Sequence, residues 1–439
     1  MTLKSLWEPS SMDRTIGARK FYSGSLLLFV GALAVAPVSG LAQLEIIGGQ
    51  QARVTDNARK AANNENSDLE SRTYVTARYE TDPGQCQASF AGTLGYTIWQ
   101  DDSFDNETDA NMDLDSQCEL APRLFWDLDN NLREVSQDTT QSDTPDNRTR
   151  KNVFSTGPRY IWRIGPVDSL SFSTRYENTE FEEPEETDSE RYVGSVAWTH
   201  LLSDTLSGGV SASYSATEYD TGAEVDVETV RATFSKRWAT TSLSGAIGVS
   251  EIETEFGSNS RTSDGLVGEV DLTRELNPTT NWYFSAAREL TDRTSSFDIR
   301  FEDFEFNLNE SISVETTIAS TGINKGFSDQ SSLNVDVFAS QSDYLETDEL
   351  EERVGLNLRY SRPLAERLTG NSGFGYRYSA FDEDSSHNEI FSVELGLDYE
   401  ASRDLSVFGG LGYEQENSDV PSREYDELWA RLGLEYQFR

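Results

Sequence analysis

The sequence predicts an all-β chain closed into a transmembrane, antiparallel, up-and-down barrel. Three observations carry that expectation. Apolar and polar residues alternate through most of the chain, and the pattern is cleanest in the last stretch, Glu427 to Arg439, where Leu428, Ala430, Leu432, Leu434, Tyr436 and Phe438 hold every second position. Successive side chains of a strand point to opposite faces, so this stretch has one oily and one polar face. Hydrophobic residues are only 36% of the chain while aromatic residues are 11%, a combination that suits a wall with lipid on one side and water on the other better than disorder, which is poor in aromatics. Beyond the first 42 residues no apolar run approaches the roughly 18 residues of a spanning helix. Only a closed sheet leaves no unpaired backbone edge in lipid.

Taken in order, the N-terminus reads as an export address. Arg14, Arg19 and Lys20 precede the apolar run Leu26 to Val35, and Ser39, Gly40 and Ala42 follow. That order is a secretory signal peptide over residues 1–42 with cleavage after Ala42; Met12 is an alternative start. Residues 43–71 are polar and lack alternation, and are expected to be a flexible periplasmic lead-in to a barrel over residues 72–439.

From Cys86 alternation begins, with Ala88, Phe90, Leu94, Tyr96 and Ile98 on one face, and a second run carries Ala110, Met112, Leu114 and Cys118. Folding these about a turn at residues 100–104 sets Cys86 opposite Cys118. In an oxidising compartment the pair is expected to form a disulfide; a free-thiol metal or redox site lacks both CxxC spacing and a nearby histidine. Downstream, fifteen strands are expected from Lys151 onward, among them one with Ile312, Val314 and Ile318 outward and Glu315 inward. With one to three more from residues 73–141 the total is about 18 strands, or 16 in the alternative reading. Short turns, as at residues 203–205 and 277–279, alternate with connections expected to be long and acidic: residues 178–190, 291–308, 342–352, 381–389 and 414–424. Short turns belong in the periplasm and long loops outside.

The inward face carries the only candidate chemistry. Arg159, Arg163, Arg175, Arg231, Arg237, Arg353, Arg359, Arg377 and Arg431 are expected there, set among Glu269, Glu315, Asp336 and Glu394. Opposed charges of this kind select solute by a transverse field, or pair with one another and keep the lumen wet. His200 falls on an outward face beside Trp198. His387, with Asp382, Asp384 and Ser385, lies in an acidic stretch that reads as a solvated loop rather than a catalytic triad. The formal charge of −41 disfavours nucleic acid as a partner and favours cations. The acidic loops lack dedicated calcium spacing, so only weak binding of divalent cations is expected. No catalytic, cofactor or metal residues are singled out.

The stretch FWDLDNNLREV, followed by Phe154 to Glu183, resembles the outer-membrane β-barrel porin family of the beta-barrel porin 2 type, often associated with exopolysaccharide export. The matching positions are Asp127, Asp129, Asn130, Asn131, Gly157, Pro158, Arg159 and Tyr160. The resemblance implies an outer-membrane barrel with export components as partners and supplies no catalytic residues. Leu434, Tyr436 and Phe438 are similar to the signal read by the barrel-insertion machinery, with Phe438 penultimate rather than last. The function expected is a porin-like conduit for solutes, or one linked to exopolysaccharide export, in contact with outer-membrane lipid and lipopolysaccharide. The alternatives are a structural or adhesive surface barrel acting through acidic loops and, last, an outer-membrane hydrolase.

Overall fold

A computed structural model describes residues 43–184, 186–382 and 384–438. The expected signal peptide, residues 1–42, lies outside them. The alternating pattern becomes twenty antiparallel strands: β1 Gln43–Thr55, β2 Asp68–Glu80, β3 Cys86–Trp99, β4 Glu107–Ala121, β5 Leu124–Ser136, β6 Arg148–Arg163, β7 Asp168–Phe181, β8 Ser189–Ser203, β9 Leu206–Tyr219 and β10 Ala223–Arg237. The second half continues as β11 Thr241–Phe256, β12 Asn259–Asn277, β13 Thr280–Asp292, β14 Ser313–Gly326, β15 Ser332–Tyr344, β16 Glu349–Ala365, β17 Leu368–Phe381, β18 Ser386–Glu400, β19 Leu405–Ser418 and β20 Tyr425–Phe438. Each strand pairs with the next, and β1 pairs with β20 (Ile46 opposite Phe438, Thr55 opposite Trp429), which closes the sheet. Among the described residues no helix is long and apolar enough to cross a membrane.

Closure separates two surfaces. Leu428, Leu432, Leu434, Tyr436 and Phe438 of β20 lie bare on the outside, as do Tyr160 and Trp162 of β6, Val230 and Phe234 of β10, and Leu395, Leu397 and Tyr399 of β18. So continuous a belt of exposed large apolar side chains has no place in water and fits acyl chains.

Fifteen strands follow Lys151's own strand inclusive, β6 to β20, as expected. The total is twenty rather than 18 or 16 because five strands precede them. The expected lead-in over residues 43–71 is instead β1, a connection and the start of β2. β1 escapes a binary pattern because its middle is Gly48-Gly49-Gln50-Gln51. Neighbouring rings fill the missing side chains: a Cβ on Gly49 would stand 2.2 Å from the Tyr74 ring, and one on Gly48 3.0 Å from Phe438. Aromatic rings over strand glycines supply the packing that the glycines lack. Pro122 and Arg123, the latter at φ 68°, turn the chain between β4 and β5, and residues 129–131 run through β5.

The acidic connections are shorter than the sequence suggests. β7 runs to Phe181 and β8 starts at Ser189; β15 ends at Tyr344 and β16 starts at Glu349; β17 ends at Phe381 and β18 starts at Ser386; β19 runs to Ser418. Much acidic sequence is therefore strand, its carboxylates standing beyond the apolar belt or inside the barrel. One long connection, residues 293–312, does not stand outside at all.

Candidate functional site

That connection folds into the lumen. Its sequence, RTSSFDIRFEDFEFNLNESI, carries phenylalanines where a solvated loop has none. Residues Phe297–Arg300 make a single helical turn, α1. Phe297, Phe304, Phe306 and Leu308 are each at most 3% exposed and cluster with Ala287, Val314, Ile318 and Tyr344 of the wall. The rings of Phe297 and Phe304 meet edge-on at 4.8 Å, and those of Phe304 and Phe306 at 5.0 Å. Val314 and Ile318 thus face inward, one register opposite to the expectation, and Glu315 with them is displaced to the other face. Glu315 pairs there with Arg288, which shares that face. Alternation alone fixes the period of a strand but not which face is wet, and here an apolar inner partner reverses the usual sense.

Charged anchors hold the loop across the barrel. Lys151 of β6 is wholly buried and its Nζ donates to the Asp298 carboxylate at 2.9 Å and to the carbonyls of Arg293 at 3.2 Å and Ser295 at 2.7 Å. Arg191 of β8 donates to Thr294 of the loop at 3.3 Å, to Asp292 at the end of β13 at 2.7 Å and to Glu177 at 2.9 Å, with Tyr219 donating to the same Asp292 at 2.8 Å. Further along, Glu305 accepts from Arg353 at 2.8 Å and lies 3.7 Å from Arg377. Arg300 donates to Glu289 at 2.6 Å, and the Leu308 amide to the Gln137 carbonyl at 2.9 Å. The 293–312 loop is therefore tied to β6, β8, β13, β16, β17 and the 137–147 connection, so it bridges the interior in the half away from the short turns. The 56–67 connection adds Lys60, 2.7 Å from Glu414 of β19.

The remaining charges expected in the lumen take their places around this plug. Arg159 pairs with Asp127 at 2.8 Å, Arg175 with Asp129 at 3.8 Å and Arg231 with Glu289 at 3.4 Å. Arg431 pairs with Glu394, and Asp336 accepts from Tyr283. Arg163, Arg237, Arg359 and Glu269 lie in inward register without an ion pair among the described residues. The lumen walls differ in chemistry. β4 and β5 present Asp113, Asp115, Asp127 and Asp129, with Asp115 directly opposite Asp129. β7 to β9 present Ser169, Ser171, Ser173, Ser195, Ser211 and Ser213, the hydroxyls of Ser173 and Ser195 2.6 Å apart.

The imagined triad does not assemble. His387 pairs with Asp419, while Asp384 contacts Ser386 and, at 2.8 Å, Arg423. His200 stacks near Trp198, ring centres 5.9 Å apart, and its Nδ1 is 2.9 Å from Asp168. Cys86 and Cys118 are bonded across β3 and β4, directly opposite one another. Among the described residues no group of three or more His, Cys, Asp or Glu is placed to hold a metal ion. The loop's part in the lumen was missed from sequence; its one available signal was the density of phenylalanine in a stretch otherwise read as acidic and solvated.

No curated protein sequence matches the chain. Among solved structures it is similar to a mutant (Q482A) of the ferric enterobactin receptor PfeA of Pseudomonas aeruginosa, bound to enterobactin, at 10% identity and TM-score 0.48 over 90% of this chain and 81% of that one. It is similar also to the ferric-catecholate import receptor Fiu of E. coli K12 at 9% identity and TM-score 0.46, over 90% and 82%. A loop-deletion mutant of OmpT, an outer-membrane protein of Vibrio cholerae, follows at 11% identity and TM-score 0.36, over 91% and 100%. At such identities and scores nothing about cargo passes from these proteins to this one. The family signature lies outside the stretch that carried the sequence resemblance: it is residues 349–438, β16 to β20, that match the family model described as Putative beta-barrel porin 2.

Proposed function

We propose that the protein is an outer-membrane conduit for small polar solutes, its passage narrowed by the inward 293–312 loop, with the short turns at the periplasmic rim. One observation carries this reading: a closed barrel, apolar outside and polar within, holds a loop that is pinned across its own lumen by Lys151, Arg191 and Arg353. A barrel of this size without such a loop leaves a wide aqueous channel. With it, small hydrated solutes pass and large ones do not. Planar-bilayer recordings of the refolded protein test the proposal. Small, stable conductance steps are expected, and removal of residues 297–306 should enlarge them several-fold; a barrel that stays silent in both forms sinks it.

Participation in exopolysaccharide export is a second reading, supported by the resemblance over Phe154 to Glu183. It demands more, since a polymer needs the loop displaced. Loss of polymer secretion on deleting the gene, restored by the intact chain, is the result it requires. The reading assigns no catalysis, and the short acidic connections give an adhesive surface less to work with. Contacts with lipopolysaccharide, weak binding of divalent cations at the outer rim and delivery by the barrel-insertion machinery through Leu434, Tyr436 and Phe438 belong to the same proposal.

A further inference from the structure

At 19 residues β12 is the longest strand, and its outer half has a neighbour on one side only. It pairs with β11 from Asn259 to Arg274, whereas β13 joins it from Gly268 to Asn277 and no further. Beyond Gly268, β13 and β14 lean into the barrel. Leu290 packs with Val225, Ile252 and Val267, and a Cβ on Gly265 would stand 3.3 Å from the Glu315 carboxylate. The inner face of β12 is thus covered while its edge is left bare.

The hairpin fixes which groups point there. Gly257, at φ 64°, and Ser258 turn β11 into β12, so Phe256 and Asn259 form the closing hydrogen-bonded pair. Bonding direction alternates along the strand from that pair. The N–H and C=O groups of Ser260, Thr262, Asp264 and Leu266 therefore point away from β11, and on that side they have no partner among the described residues. All four residues are exposed. Gly268 to Asn277 already has the about 9–11 residues that cross a bilayer, so the bare edge stands beyond the apolar belt. Such an edge is a template for another chain, and residues 259–267 carry no lysine or proline to blunt it. Arg261 is turned aside to Asp348, at 2.7 Å.

The outward face beside the edge selects the partner. Glu251 lies opposite Asp264, Glu253 opposite Thr262 and Glu255 opposite Ser260, and β10 continues the same rows with Glu228, Asp226 and Glu224. None of these carboxylates has an ion pair among the described residues; Glu253 accepts from the Ser260 hydroxyl at 2.6 Å. A second copy pairing edge to edge would set one acidic face beside another, which like-charge repulsion opposes. We propose that the β12 edge takes up an extended, lysine- or arginine-rich segment of another polypeptide as an added strand. Its backbone bonds to Ser260, Thr262 and Asp264, and its basic side chains lie toward Glu251, Glu253 and Glu255. The surface goes beyond the conduit reading and does not need it, because binding is measured on the whole protein in detergent whether or not it conducts.

Fluorescence anisotropy of a labelled, capped peptide of alternating lysine and threonine is the test. It is run beside a form with proline in place of two threonines and a form with glutamate in place of lysine. Saturable binding of the first peptide is expected, with the other two at least about ten-fold weaker, since one forgoes backbone hydrogen bonds and the other the charge match. Thr262→Pro removes an N–H from the bare edge and leaves the pairing with β11 intact, because edge strands admit proline there. It should weaken the peptide about five-fold or more, as should Glu251→Gln with Glu253→Gln. Heat-dependent migration on gels checks the folding of each variant; should Thr262→Pro fail, the proline peptide carries the backbone half of the test. A proline peptide that binds as tightly as its parent overturns the proposal in favour of charge alone. Self-association of the parent protein in sedimentation, lost in Thr262→Pro, overturns it in favour of a second copy. Equal binding of the glutamate peptide, the absence of saturable binding or unchanged affinity in the variants overturns it as well.

Discussion

Lys151 is the residue on which the interior turns. An ammonium with no exposure is tolerated because Asp298 neutralises it and two carbonyls absorb its remaining protons, with the Phe306 ring 5.2 Å away. Breaking such a buried pair from one side leaves the other charge stranded and costs about 3–5 kcal/mol. Lys151→Met should therefore loosen the inward loop, seen as trypsin cleavage at Arg293 or Arg300 that the parent resists. Lys151→Met with Asp298→Leu should restore much of that resistance, since an apolar pair leaves no charge behind. Equal cleavage of parent and single variant would mean that the pair does not hold the loop. At Cys86 and Cys118 the bond closes a segment with a sequence separation of 32. By chain entropy, Cys86→Ser with Cys118→Ser should lower unfolding stability by up to about 3–4 kcal/mol. A denaturant midpoint identical to that of the parent under oxidising conditions is the contrary result.

At the scale of the element, the loop is a hydrophobic plug with an acidic tip. Burial, then the nearby Asp336 and Glu302, push the Asp303 carboxyl up to about 6, against the opposing pull of Arg359. A carboxyl whose pKa is higher in the docked loop than in the free one favours docking while protonated. That contribution is complete below the ordinary aspartate value, declines as pH rises through about 6, and is absent at neutral pH. Conductance should accordingly be lower near about pH 5 than near about pH 7.5, beyond any change seen in Asp303→Asn, which lacks the titrating group. A parent and variant with the same pH profile would remove Asp303 from the account.

For the whole molecule the decisive property is the sign of the field inside. Lumen carboxylates outnumber the cations available to pair with them on the β4 and β5 wall, where Asp113, Asp115, Asp127 and Asp129 face Arg133, Arg159 and Arg175. Such a wall concentrates cations and repels anions. In a salt gradient the reversal potential should have the sign of cation preference, and Asp115→Asn with Asp129→Asn should reduce it. Anion preference in the parent would contradict this placement of charge. Salt should blunt the preference as screening shortens the reach of the wall charges.

Period-2 alternation was legible wherever outward positions held Leu, Val, Tyr or Trp, as in β6, β18 and β20, and so were the strands from β6 onward and the pairing of Cys86 with Cys118. It failed in β1, whose glycines borrow their packing from Tyr74 and Phe438, rings on other strands. It failed again in β14, where Val314 and Ile318 were read as lipid-facing though they face a phenylalanine cluster. The inward register of Arg159, Arg175, Arg231, Arg353, Arg377 and Arg431 was legible, but their partners were not, because Asp127, Glu289, Glu305 and Glu394 lie on other strands or on the loop.

By itself, then, the sequence determined that the protein is a wall with one face for lipid and one for water, because that choice is written into each strand locally. Only the tertiary structure decided that twenty strands close it, that residues 293–312 turn inward and which charges remain unmatched in the lumen. Those outcomes depend on contacts between segments far apart in the chain, and a local pattern carries no record of its distant neighbours.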